Sequence, residues 1–234
     1  MDHNEFLSRL QTDLMAIEAV ALAEGGDLGR PVPTCPGWTV ADLLGHLWSV
    51  EGWVREILRT REVAQEREPA TDPTRAVADF VDGIPDYLTA MRAITPEEPC
   101  WNFGPPPRLA RFWGRRQAHE HAIHRVDLIT ALESEPLHFD PAFAADGVDE
   151  VLSVFYPRQV RFGRTEPIAA PIQLCANDTG DKWTLGDGEP VATVTSDAAT
   201  LYLGLWKRID LVDRSEIDGD DGAARAALAH ALTP

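Results

Sequence analysis

The stretch RRQAHEHAIHRVDL, residues 115–128, sets three histidines and a glutamate within six positions: His119, Glu120, His121 and His124. It narrowly misses the zinc-protease pattern H-E-x-x-H, because Ile123 stands four residues after His119 and the next histidine comes one later. The surrounding apolar spacing predicts a helix from about Leu109 to Leu132. On a helical wheel at about 100° per residue with Leu109 as zero, Phe112, Trp113, Arg116, Ile123, Asp127 and Ala131 fall within roughly 60° of one direction. Glu120 lies at roughly 20° and His124 at roughly 60° on the same wheel, whereas His121 sits at roughly 120° and His119 at roughly 280°. Glu120 and His124 form an i, i+4 pair able to converge on one ion. A carboxylate aimed into an apolar stripe is costly unless it is paired or holds a cation.

Two ligands make a poor site, since catalytic zinc takes three protein ligands and keeps an open position. Of the other histidines, only His46 lies inside another amphipathic helix, aligned with Leu43, Val50 and Trp53. His46, Glu120 and His124 thus form a two-histidine, one-carboxylate set from two helices. The same spacing also fits a hydrogen-bonded core histidine, with Glu120 paired to Arg116 or Arg125. On geometry alone, His121 remains open as a replacement ligand.

Outward from this helix, three more helices are expected in the first part of the chain. Phe6, Leu10, Leu14, Ile17 and Val20 or Leu22 mark a helix ending at Gly25-Gly26, and the prolines of RPVPTCPGW (30–38) break the chain. A second helix runs from Thr39 to about Thr60, with Thr39 and Asp42 as a capping box. A third covers about Thr74 to Met91, its middle interrupted by Gly83 and Pro85. After residue 135 the pattern changes. A helix over about Pro141 to Phe155 precedes strand-like segments at 171–178, 181–187 and 190–196. Hairpin-type turns are expected at Asn177 to Gly180 and at Gly186 to Gly188, and two helices close the chain. The organisation predicted is an all-α four-helix bundle over residues 1–135 and a smaller α+β domain over 136–234.

Composition narrows the function. With 38 acidic against 21 basic residues, the formal charge of −17 disfavours nucleic acid and anionic membrane surfaces as partners. No apolar run approaches the roughly 20 residues that span a bilayer. MDHNEFLSRL lacks a basic segment followed by an apolar one, so no signal peptide and a cytoplasmic location are expected. Cys35, Cys100 and Cys175 form no C-x-x-C pair and read as reduced thiols. A monomer is expected.

The blocks VPTCPGWTVADLLGHLWSVEGWV (32–54) and RFWGRRQAHEHAIHRVDLITAL (111–132) resemble the mycothiol-dependent maleylpyruvate isomerase family, whose N-terminal domain is a DinB-like metal-binding four-helix bundle. The ending ATLYLGLWKRIDLVDRSEIDGDDGAARAALA (199–229) is more loosely similar to that family's second domain: a helix, a basic residue, a short polar strand and a Gly-Asp before the last helix. The resemblance implies His46, Glu120 and His124 as ligands of zinc or another divalent metal. His119 and His121 become flanking or surface residues.

The resemblance further implies mycothiol as cosubstrate and a metal-dependent S-transferase or isomerase acting on a small electrophile. A hydrolase using zinc-bound water, or a non-catalytic metal-binding module, would use the same scaffold. Asp127 is placed to orient a ligand imidazole or an arginine. Arg116 and Arg125 are candidates for a substrate carboxylate or for neutralising Glu120 and Asp127. Arg208, after a helix of the second domain, is a candidate for a thiol or substrate contact. Trp38, Trp48, Trp53 and Trp113 are read as core, with Trp53 and Trp113 near the proposed ligands.

Overall fold

The computed structural model describes residues 1–23, 27–69, 72–134 and 137–234, without the side chain of Pro73. The chain divides into two compact units, Asp2–Leu137 and His138–Pro234. The expected boundary between residues 135 and 136 lies outside the described residues, as does the expected helix end at Gly25-Gly26.

The first unit holds four long helices, α1 His3–Ala21, α2 Val40–Thr60, α3 Pro73–Arg92 and α4 Arg111–Ala131. Asp2 caps α1 by accepting from the amides of Asn4 and Glu5. Thr39 and Asp42 form the anticipated box at the start of α2. Helix α1 ends earlier than expected, and Leu22 beyond it is exposed. Helix α3 runs through Gly83 and Pro85 without a break. Its buried ridge of Phe80, Ile84, Tyr87 and Met91 repeats every three or four residues, and burying four large side chains outweighs the roughly 3 kcal/mol cost of an internal proline. Helix α2 packs on α3, and α1 on α4. Gly114 of α4 leaves room for the His3 ring of α1, which a Cβ would overlap.

The second unit begins with α5, Pro141–Glu150. The helix continues as a wider, π-type turn, Val151–Phe155, and as α6, Tyr156–Arg161. The widening falls just ahead of Pro157, which has no amide to give the carbonyl four residues back. Strands β1 Ile172–Ala176, β2 Lys182–Leu185 and β3 Ala192–Ser196 follow, then α7 Ala198–Leu205, β4 Glu216–Gly219 and α8 Asp221–Ala229. The sheet order is β2-β1-β3-β4. The turn at 177–180 joins the antiparallel hairpin β1–β2, as expected. The turn at 186–188 does not make a hairpin: β3 lies on the other side of β1 and runs parallel to it. The two central strands bury alternate residues, Ile172, Leu174 and Ala176 with Ala192, Val194 and Ser196. Pairing them places the two strands with one fully buried face at the centre and leaves the polar β2 and β4 at the edges.

Among the described residues, no helix is long and apolar enough to cross a membrane.

In the second unit α5 and α7 meet at Gly147 and Tyr202, and a Cβ on Gly147 would overlap the Tyr202 ring. Gly147→Ala is therefore expected to destabilise the protein by about 2 kcal/mol through overpacking, against a helix-propensity gain of about 1 kcal/mol. Chemical denaturation monitored by circular dichroism measures the balance. Unchanged or greater stability would mean that α5 and α7 are not locked at this contact.

Candidate metal centre

His46 projects from the second turn of α2, and Glu120 and His124 from successive turns of α4. The Glu120 Oε1 atom lies 3.1 Å from His46 Nε2 and 3.3 Å from His124 Nε2. Ligand atoms of all three residues fall within 4.8 Å of one another. Donors about 2.0–2.1 Å from a tetrahedral ion stand roughly 3.3 Å apart, so two imidazoles and a carboxylate at these separations fit a small divalent ion without rearrangement of the helices.

Each ligand is held from behind. Arg116, almost fully buried, donates from Nη2 to Glu120 Oε2 at 2.9 Å, which leaves Oε1 for the two imidazoles. His124 Nδ1 is 2.9 Å from Asp127 Oδ2, the arrangement that fixes a ligand imidazole's orientation and tautomer. Asp127 also accepts from Thr34 Oγ1 at 2.6 Å and from Cys35 Sγ at 3.5 Å. Trp38 covers the imidazoles, its ring 4.9 Å from that of His46 and stacked 6.1 Å from that of His124.

Thr34, Cys35 and Trp38 come from the proline-rich segment read as a helix breaker and as the start of the first family block, with no role at the metal site given to their side chains. That segment is a closed loop: the Val32 amide donates to the Trp38 carbonyl, and Gly37 turns the chain with φ +87°. No periodicity marks such a loop, so the sequence offered no signal that it folds over the metal ligands. Cys35 also joins His124 and Asp127 in a second group of potential ligand atoms within 4.8 Å. Trp53 and Trp113, read as core residues near the ligands, pack in an aromatic cluster with Trp101, Phe103 and Phe112.

The remaining candidates are dispersed. Arg125 donates to Asp13 Oδ1 at 2.8 Å, and Arg9 meets the other oxygen at 3.1 Å, so this pair fastens α4 to α1 around a fully buried carboxylate. In the second unit, Arg208 donates to the Trp206 carbonyl at 2.7 Å and lies over the Trp206 ring.

His119 and His121 are not surface residues; both are completely buried. Helix α4 has neighbours on several sides, and a wheel with one inward direction misplaces residues that face the others. His119 packs on Phe6 of α1. His121 lies on α2 and α3: its Nδ1 donates to the Gln117 carbonyl at 2.8 Å, its Nε2 is 3.0 Å from Glu51 Oε1, and its ring stacks on Tyr87. Since Nδ1 must carry a proton to meet a carbonyl, either Nε2 or Glu51 must carry the one between them. Burial pushes the Glu51 carboxyl up, with His121 opposing. Glu51 was not foreseen from the sequence.

Burial penalises charge on Glu120, yet hydrogen bonds from His124 and His46 and the Arg116 charge hold its carboxyl well below the usual range. Burial likewise opposes a charged His124, but Asp127, Cys35 and Glu120 outweigh it and raise its pKa well above that of ordinary histidine. Without metal, His124 is thus a protonated partner of Glu120.

Two domain models of one family match the chain: the mycothiol maleylpyruvate isomerase N-terminal domain over residues 11–129, and the corresponding C-terminal domain over residues 142–226. The chain is also similar to a crystal structure of the mycothiol-dependent maleylpyruvate isomerase, with a TM-score of 0.69, 12% identity, and coverage of 94% of this chain and 95% of that one. A histidine-to-alanine mutant of that isomerase has a TM-score of 0.68 at the same identity and coverage. At this identity the likeness concerns the fold. No curated protein matches the sequence.

Because His124 starts protonated, a metal ion must displace that proton, so affinity should rise with pH until the raised pKa is passed and then level off. Without metal, the Glu120 contribution to stability is present above about pH 4.3 and lost as pH falls through its depressed value. The His124 contribution is complete below about pH 6.5 and lost as pH rises through its raised value. Calorimetric zinc titration in two buffers of different ionisation enthalpy should reveal about one proton released per ion near neutrality; no release would contradict the assignment. Separately, His121→Ala should keep full metal content but lose on the order of 3 kcal/mol of stability, because Glu51 is left buried without its partner. Loss of metal in that variant would place His121 among the ligands.

Proposed function

The chain belongs to the mycothiol maleylpyruvate isomerase family, and from this premise we propose that it is a metal-dependent, mycothiol-using S-transferase or isomerase acting on a small electrophile. The observation that carries the reading is the convergence of His46, Glu120 and His124, from two helices, on one point at 3.1 and 3.3 Å. In this reading residues 1–135 form the metal-binding domain and residues 136–234 the second domain.

A bound zinc or similar ion supplies an electropositive centre at which a thiol sits as its thiolate. The chain's own residues prepare that place. His46 and His124 present Nε2, and Glu120 presents one carboxylate oxygen while Arg116 holds the other. Asp127 keeps the His124 ring turned, and Trp38 shields the imidazoles from water. Cys35 lies with Asp127 on the Nδ1 side of His124 and is absent from the group formed by His46, Glu120 and the Nε2 edge. That supports a thiol arriving as cosubstrate.

The test combines metal content with thiol dependence. Purified protein should carry one divalent ion per chain by elemental analysis, with His46→Ala and His124→Ala depleted of it. Metal-loaded protein is then assayed against an electrophile panel that includes maleylpyruvate, with mycothiol present, absent or replaced by glutathione. Mycothiol-dependent turnover that disappears in His46→Ala is the expected result. Metal-dependent ester or amide cleavage that ignores thiol would instead identify a hydrolase, and full metal content in both histidine variants would remove the site.

A further inference from the structure

A cavity of about 420 Å³ opens beside His46, within the range of roughly 300–1,000 Å³ typical of small-molecule sites. One side is Trp38 and the first turns of α2; the other is the segment 66–69. This segment reaches α2 because small residues face it. Pro69 packs against Gly45, the Arg67 side chain lies along Gly52, and Ser49 donates to the Arg67 carbonyl. Upstream, the Trp53 indole donates to the Ala64 carbonyl at 2.8 Å. Three carboxylates line the cavity, Asp42, Glu66 and Glu68, and Glu66 Oε1 lies 3.4 Å from Ser49 Oγ. Arg67 also lines the cavity, its guanidinium 5.9 Å from the centre of the Trp48 ring, so three carboxylates stand against one cation of the segment.

We propose that this cavity holds the uncharged, hydroxyl-rich portion of the thiol cosubstrate and that its carboxylates exclude anionic thiols. The inference rests on the thiol-dependent reading of the adjacent ligands, and it names what distinguishes the accepted thiol. Carboxylates accept hydroxyl hydrogen bonds strongly because the acceptor is charged, and the flat face of Trp38 offers an apolar surface to a sugar ring. Mycothiol is N-acetylcysteine joined to a glucosamine–inositol pair, neutral and rich in hydroxyls. Glutathione carries two carboxylates against one ammonium. Placed beside Asp42, Glu66 and Glu68, its excess negative charge meets like charge, and discrimination by repulsion is as effective as discrimination by attraction.

The experiment uses thiols whose sulfur is blocked as the bimane conjugate, so that no metal–sulfur bond contributes. Calorimetric titration of the full chain should show the mycothiol conjugate binding at least about tenfold more tightly than the glutathione conjugate at low salt. Raising ionic strength from about 0.01 to 0.15 M should narrow that ratio by screening. In the Glu66→Gln/Glu68→Gln double variant the ratio should fall about three- to tenfold and lose its salt dependence. Equal affinities in the wild-type protein, or a ratio that neither salt nor the double variant changes, would overturn the proposal. The salt series needs no variant, so misfolding of the double variant leaves a decisive measurement. Failure of the thiolate reading would be seen separately, as turnover in the electrophile assay that ignores thiol while conjugate selectivity persists.

Discussion

A carboxylate at the interface of two helices has to be met by positive charge or by hydrogen-bond donors, and Glu120 is that carboxylate. One oxygen is taken by Arg116 one turn back on its own helix; the other is approached by His46 across the interface and by His124 one turn forward. The spacing of α4 follows from this requirement. Arg116, Glu120 and His124 stand at successive four-residue intervals, so a single helical ridge carries the cation, the anion and the second imidazole. Helix α2 then has only to bring one histidine to the same height, and its capped start at Thr39 fixes where its turns fall.

The same helix carries a second polar layer beside the first. His121 and Glu51 share a buried proton between α4 and α2, with Tyr87 and Gln117 closing the network from α3 and α4. On the α1 side, Asp13 lies between Arg9 and Arg125. Helix α4 is therefore held by directed polar contacts on several sides rather than by one apolar stripe. Such contacts fix register, because a slip of one residue would leave buried charges unpaired at a cost of several kcal/mol each.

This explains what could be read from the sequence. The four helices were legible because apolar spacing and caps are local, and the shared inward direction of His46, Glu120 and His124 was legible because each sits on a ridge with buried apolar neighbours. His119 and His121 were misplaced because a helical wheel assumes one buried face, whereas α4 has neighbours at the angles those residues occupy. Trp38 was read as core rather than as a cover for the ligands because a loop has no period from which to project a side chain. The crossover from β2 to β3 was hidden for a related reason. A Gly-Asp-Gly turn signals reversal of the chain, but which side of β1 receives the next strand depends on burial across the whole sheet.

The loop that the sequence left unplaced completes the electronic arrangement of the centre. Thr34 and Cys35 both donate to Asp127, and Nδ1 of His124 meets the same carboxylate. Because a carboxylate only accepts, Nδ1 is the nitrogen that keeps its proton, and Nε2 is left to serve Glu120 or an ion. The proline-rich segment thus does more than connect two helices: Val32, Cys35 and Trp38 close the loop through their own backbone hydrogen bonds, and that rigidity lets a hydroxyl, a thiol and an indole each reach the centre at a defined place. A flexible connection of the same length would pay the ordering entropy of those side chains at every binding event. Here that ordering is built into the fold before any ligand arrives.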